Sequence, residues 1–232
     1  MSTTRAVWLF LLVLTVFRLA LLGATQLSPD EAYYWMWSQR PALSYFSKGP
    51  GVAFAMRAST AIFGDNEFGV RFWSPLLAAG TSLLIYYLTQ RLFSSVAAFW
   101  GVVFLNVTPI FTLGSIVLTI DPLSLFFWVA ALYTYWLALE RTPGFSWSWP
   151  LTGLLIGLGF LCKYTNALEL ISVLLVLVLV PRLRREFRRP NLYSLLLVFL
   201  LCTIPPIVWN SDHAWITLAH LKSRGSLDEM PG

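Results

Sequence analysis

Val173-Leu174-Leu175-Val176-Leu177-Val178-Leu179-Val180-Pro181-Arg182-Leu183-Arg184-Arg185-Glu186-Phe187-Arg188-Arg189 runs from an unbroken apolar segment straight into five arginines. A segment apolar on every side cannot face water, so its solvent is lipid. The arginines that follow mark a loop retained in the cytoplasm, where basic residues collect beside membrane spans. The rest of the chain agrees. Of its 232 residues 57% are hydrophobic and 12% charged, with a mean hydropathy of +0.69. A soluble domain carries roughly 25% charged residues. The 11 tryptophans suit anchoring at membrane interfaces.

Working outward, seven candidate spans fall at about 6–24, 69–89, 94–112, 121–139, 150–162, 164–181 and 192–209, since roughly 20 residues cross the hydrocarbon core. The short fifth segment carries Gly153, Gly157 and Gly159, which let helices approach closely. The N-terminal apolar run follows Arg5, reaches Leu22 and lacks a small-residue cleavage site, so a retained first span is expected. With the arginine cluster inside, Arg141, Arg91 and Arg5 also fall inside. Asp30, Glu31, Asp65, Glu67, Asp121, Asp212, Asp228 and Glu229 then fall on the opposite face. The net charge of +5 is explained by this topology, and no nucleic-acid partner is expected. Cys162 and Cys202 read as small buried hydrophobes, and His213 and His220 form no ligand cluster with them. The fold class is an all-α polytopic membrane protein. Residues 25–68 form its first external loop, with helices over 30–40 and 51–63 lying along the bilayer surface.

Three clusters on the external face carry groups suited to chemistry. Ser28-Pro29-Asp30-Glu31-Ala32-Tyr33-Tyr34-Trp35 sets two acids among aromatic rings. Either the acids cap a helix, or a carboxylate there deprotonates or orients a hydroxyl or holds a metal. Helix neighbours do not share a face, so only one of the two acids is expected at a site. Tyr45-Phe46-Ser47-Lys48-Gly49-Pro50-Gly51 presents Lys48 on a tight turn, as a headgroup contact or a phosphate ligand. Asp121-Pro122 either caps the fourth span or joins Asp30 as a second carboxylate. Lys163-Tyr164 reaches the same face. Arg18 and Glu169 lie inside predicted spans, where pairing with each other or with backbone is expected above a catalytic role. P-loop, GxSxG, HExxH and CxxC motifs are missing, leaving nucleotide hydrolysis, serine hydrolysis and zinc peptidase chemistry without support.

Together these segments resemble the family 39 glycosyltransferases, the bacterial protein-mannosyltransferase-like enzymes that include the lipid A aminoarabinose transferase. The resemblance rests on Asp30 to Trp35, on Tyr45 to Pro50, on Arg71, on Asp121-Pro122 and on Gly157-Leu158-Gly159-Phe160-Leu161-Cys162-Lys163-Tyr164-Thr165. It implies a GT-C-like helical bundle in the inner membrane, with the active face periplasmic. It also implies a polyprenyl-phosphate sugar donor and a lipid, glycan or protein acceptor. Asp30 and Asp121 match the family's acids and are the expected catalytic residues. Lys48 matches its basic residue, and Glu31, Tyr34, Tyr45, Arg57, Arg71, Lys163 and Tyr164 are expected to contact substrate. Some relatives place a metal-contributing acid or histidine in the turn where Ser47 and Gly49 stand here, so no metal ligand is assigned and no cofactor is certain, with a divalent metal kept as the alternative. Family members commonly have about twice this length, and the chain is expected to form their N-terminal half. A transporter or flippase using Arg18 and Glu169, or an inactive fragment that binds substrate, are the rival readings. No inverted repeat favours the transporter.

Overall fold

A computed structural model describes residues 2–140 and 144–225, so Arg141, Asp228 and Glu229 lie outside the described residues. Among the described residues the fold is all-helical. It contains α1 (Thr3–Leu21), α2 (Pro29–Ser38), α3 (Gly51–Phe63), α4 (Glu67–Arg71), α5 (Trp73–Leu92), α6 (Ser95–Val107), α7 (Pro109–Gly114), α8 (Ile120–Glu140), α9 (Ser148–Cys162), α10 (Ala167–Leu179), α11 (Pro190–Asp212) and α12 (Ile216–Gly225). Two 3-10 segments, Tyr164–Asn166 and Pro181–Arg188, precede and follow α10. This is the fold of a multi-pass membrane protein.

Four helices are long and apolar enough to cross a bilayer: α1, α4–α5 taken together, α8 and α11. The other three candidate segments are shorter or broken, and the reasons are local. The third is cut at Pro109, because the residue before a proline is pushed out of helical geometry, and Thr108 sits at φ −67°, ψ 124°. The fifth is a helix of 15 residues. The sixth enters through a 3-10 turn and bends by 113° into the arginine-rich segment.

The bundle is built around α9. Helix α8 runs antiparallel to it, with Thr134 and Thr152 hydroxyls 2.9 Å apart. Helix α11 runs beside it in the same direction. Gly153 permits that approach, since a Cβ there would strike the Leu195 carbonyl, and one on Gly157 would strike Cys202. One core cluster joins Ala131, Tyr135, Trp149, Ile156, Val173 and Leu195 across these helices. A second lies under α2 and α3 and includes Tyr34, Tyr45, Met56, Leu118 and Cys162.

The two ends of the bundle differ in charge. Arg91 pairs with Glu140 at 2.6 Å at the end where α5 finishes. Thr4 and Trp8 bond Tyr86 and Tyr87 there, bringing Arg5 to the same end. Ser146 and Asn191 meet there too, beside the 182–189 arginines. The opposite end carries Asp30, Glu31, Asp65, Glu67 and Asp121. Sorting charges by loop and sorting them by helix packing therefore give the same two groups for these residues.

Candidate functional site

Helices α2 and α3 form a platform across the acidic end. Helix α2 begins at Pro29, with fixed φ suited to a first turn, behind Ser28 as N-cap. Ser28 Oγ accepts from Glu31 N at 3.4 Å and Glu31 Oε2 accepts from Ser28 N at 2.9 Å, a reciprocal capping box. At its far end Trp35 Nε1 and Gln39 Nε2 both donate to Asp65, at 2.9 and 3.1 Å. Arg57 N–H donates to the Ser38 carbonyl at 3.2 Å, closing the C-terminus of α2 from α3.

The capping box fixes the rotation of α2, and with it the fates of the two adjacent acids. Glu31 is wholly buried and meets Arg71, which is 1% exposed. Arg71 Nε donates to Glu31 Oε1 at 2.7 Å and Arg71 NH2 to Oε2 at 2.8 Å. The remaining donors go to the carbonyls of Leu22, Thr25 and Gln26 at 2.8–2.9 Å. Glu31 Oε1 also accepts from Leu118 N at 3.1 Å. Burial alone would raise the Glu31 carboxyl, but bonds from Arg71 and from the Ser28 and Leu118 amides outweigh it and hold it below the ordinary range. Both residues were expected at the substrate. The structure buries both, joining the end of α1, α2, α4 and the entry to α8. Asp30 instead faces outward, exposed.

The 47–51 turn is seated on the C-terminus of α9. A Cβ on Gly49 would collide with the Leu161 carbonyl and one on Gly51 with Cys162 Sγ, so both positions require glycine. Tyr45 N and Ser44 Oγ donate to the Lys48 carbonyl, at 3.0 and 3.4 Å. Ser44 Oγ lies 3.0 Å from the Tyr164 hydroxyl, which ties this turn to the segment after α9. Tyr45 stacks on Trp37 with ring centroids 4.5 Å apart and donates its hydroxyl to the Trp37 and Arg40 carbonyls. Tyr45 is thereby a buried strut of the turn. Gly49→Ala is expected to dislodge Lys48 and reduce folded yield severalfold, read by size-exclusion chromatography in detergent. Ser47→Ala, in the same turn, is expected to leave the yield unchanged.

Asp121 opens α8, where its amide is received by the Thr119 hydroxyl at 3.3 Å. Its carboxylate bonds Lys163 Nζ at 2.7 Å, with both side chains partly exposed. Tyr34, on α2, is buried in the core cluster that also holds Leu118, Ile120 and Cys162. Burial, then the negative charges of Asp30, Asp121 and Tyr33, push its hydroxyl up to about 12. Asp30 and Asp121 therefore act on one common neighbour. The Asp121–Lys163 pair stands at the polar end of a cavity of about 520 Å³. Its walls are largely apolar, with Ala78, Leu105, Phe111, Leu125 and Trp128 contributed by α5, α6, α7 and α8 and Val117 by the α7–α8 connection. The break at Pro109 displaces α7 from α6 along one of these walls.

Arg18 and Glu169 do not pair. Arg18 donates to Asn106 Oδ1 at 2.9 Å, and Asn106 in turn to Ser82. Both Glu169 oxygens are buried and have no hydrogen-bond partner among the described residues. Among the described residues, no three His, Cys, Asp or Glu side chains converge on a metal-sized site. Sequence reasoning missed Ser44 and Asn106, whose polarity is common and whose partners Tyr164 and Arg18 lie more than 80 residues away in sequence.

The dolichyl-phosphate-mannose-protein mannosyltransferase family matches residues 47–209. A lipid A galacturonosyltransferase of Rhizobium johnstonii is 29% identical over 97% of this chain and 48% of its own length. Undecaprenyl phosphate-alpha-4-amino-4-deoxy-L-arabinose arabinosyl transferases of Serratia proteamaculans and Erwinia tasmaniensis are 28% and 30% identical. These matches cover 80% and 76% of this chain and 36% and 35% of the relatives. The chain thus spans about half or less of the length of the curated relatives it matches. No solved structure matches the chain significantly. With its helical membrane bundle of GT-C type and a family match over most of its length, the chain belongs to the dolichyl-phosphate-mannose-protein mannosyltransferase family.

Proposed function

We propose that this chain is the donor-binding and acid-bearing part of a glycosyltransferase that moves a sugar from a polyprenyl-phosphate carrier to an acceptor. The carrying observation is the Asp121–Lys163 pair on the lining of an apolar cavity, with Asp30 and the Lys48 turn at the same end of the bundle. A polyprenyl chain suits those walls, and its phosphate suits the cationic rim. The acidic end is the extracytoplasmic one, in an inner membrane, because the arginine cluster stands at the other end. The relatives act on lipid A or take undecaprenyl-phosphate sugars, which supports a lipid-linked donor and favours a glycolipid acceptor.

The chemistry is a displacement at the anomeric carbon. The acceptor oxygen forms the new C–O bond as the bond from carbon to the carrier phosphate breaks, inverting the centre. Asp30 takes the acceptor hydroxyl proton, and the carrier leaves as its phosphate. Lys48 and Lys163 stabilise the charge that grows on that phosphate. Asp121 holds Lys163 in place until the donor arrives. Arg71 has no part in this, since all three of its nitrogens are engaged. Arg57 positions α2 through Ser38.

The test is transfer from a radiolabelled undecaprenyl-phosphate sugar by the full-length protein in liposomes. Lys48→Ala is expected to lower kcat/KM by about 10- to 100-fold, the worth of one hydrogen bond to a charged group. Wild-type activity in that variant would remove Lys48 from the donor site. Flux of intact lipid-linked sugar without transfer would instead support a flippase.

A further inference from the structure

We infer that the Pro181–Arg188 segment is a binding site for anionic phospholipid in the leaflet opposite the sugar-transfer site. In a 3-10 helix, side chains three residues apart eclipse one another at a spacing of about 6 Å along the axis. Arg182, Arg185 and Arg188 therefore form a single row, and all three are exposed. The segment turns by 113° from α10, so the row runs along the bilayer plane and does not extend into water.

The segment is held by the residues outside that row. Leu183 and Phe187 pack against the core cluster that contains Leu177 and Leu192. Arg184 Nε donates to the Val178 carbonyl at 2.8 Å, capping the end of α10. Arg189 donates to the buried Glu186 at 2.8 Å. Arg185 touches the same carboxylate only at 3.5 Å, with 65% of its side chain exposed. Among the described residues Arg182 and Arg188 make no ion pair. The fold thus spends two arginines on its own stability and leaves three aligned.

The occupant follows from the flanks. Leu179 and Tyr193, at the two ends of the segment, are exposed and apolar or amphipathic, which places the row at the boundary between acyl chains and headgroups. A ligand that fills both surfaces needs phosphate and hydrocarbon in one molecule. A water-soluble anion would use only the cations. Basic residues at a membrane surface attract anionic headgroups, and fixing three of them in a row favours a lipid carrying two phosphates. This site is independent of the transfer chemistry, about 30 Å away along the 21 residues of α8.

The test is native mass spectrometry of the detergent-solubilised full-length protein titrated with cardiolipin, phosphatidylglycerol or phosphatidylcholine. Wild type is expected to bind cardiolipin most tightly and phosphatidylcholine least. R182Q/R185Q/R188Q is expected to weaken cardiolipin binding roughly 100-fold, at about fivefold per arginine. R5Q/R40Q/R91Q removes the same charge elsewhere and is expected to bind as wild type does. A lysine row, R182K/R185K/R188K, is expected to recover most of the binding. The inference is overturned if the glutamine row binds normally, if the lysine row fails to recover, or if pyrophosphate displaces the lipid at equal ionic strength.

Discussion

Asp30→Asn is expected to lower sugar transfer by about 10²- to 10⁴-fold, the usual contribution of a positioned general base. The same change should leave folding nearly intact. Asp30 is exposed in the first turn of α2 and forms no ion pair among the described residues. Its favourable position at the helix N-terminus is worth about 0.3–1 kcal/mol, and asparagine gives up only that. The capping work belongs to Ser28 and Glu31, which the substitution does not touch. Asparagine also keeps the shape of the site, so KM for the donor should move little while kcat falls. Asp121→Asn offers the contrast. It releases Lys163 from a partly exposed pair, so donor KM should rise with a smaller change in kcat. Both follow from steady-state transfer by full-length protein in liposomes. A kcat for Asp30→Asn within twofold of wild type would remove that residue from proton transfer.

The legible part of this molecule is the part written in composition and spacing. Long apolar runs, the arginine cluster and the acids of the first loop place the helices and divide the bundle ends by charge. The α2 and α3 platform was readable because proline and glycine mark its starts, Pro29 and Gly51. What spacing could not supply was depth. Asp30 and Glu31 are neighbours with the same chemistry, and only the rotation of α2 decides that one is exposed and the other sealed. Ser28, three residues before Glu31, was the available signal, since a serine and a glutamate at that spacing predict the capping box. Arg71 was read as a cation at the interface because its partners are mostly carbonyls, and carbonyls leave no trace in sequence. The break after Val107 was announced by Pro109, but a hydropathy window averages across it. Gly49 and Gly51 were read as turn residues. Their tighter constraint is the approach of Leu161 and Cys162, which belongs to tertiary packing.

The second large effect concerns that sealed pair. Arg71→Met is expected to destabilise the protein by about 3–5 kcal/mol, because it leaves the buried Glu31 carboxylate without its countercharge. The loss is a large fraction of a typical total of about 5–15 kcal/mol, so poor expression and a lowered melting temperature are expected. Glu31→Gln is expected to cost less than Arg71→Met, since glutamine can still accept from Arg71. The double variant E31Q/R71M should be more stable than the sum of the singles predicts, which is the signature of direct coupling. It should not regain wild-type stability, because Leu22, Thr25 and Gln26 lose the donors that fix the end of α1. Acid gives an independent reading. The folded Glu31 carboxyl lies below its ordinary value of about 4.5, so its stabilisation is complete above that pH. It is lost as pH falls from there through the depressed folded value, as protonation removes the charge that Arg71 binds. The stability gap between wild type and E31Q, followed by tryptophan fluorescence melting in detergent, should therefore be constant near neutrality and shrink below about pH 4.5. A gap unchanged into strong acid would mean that packing, and not the ion pair, joins α1, α2 and α4 at this point.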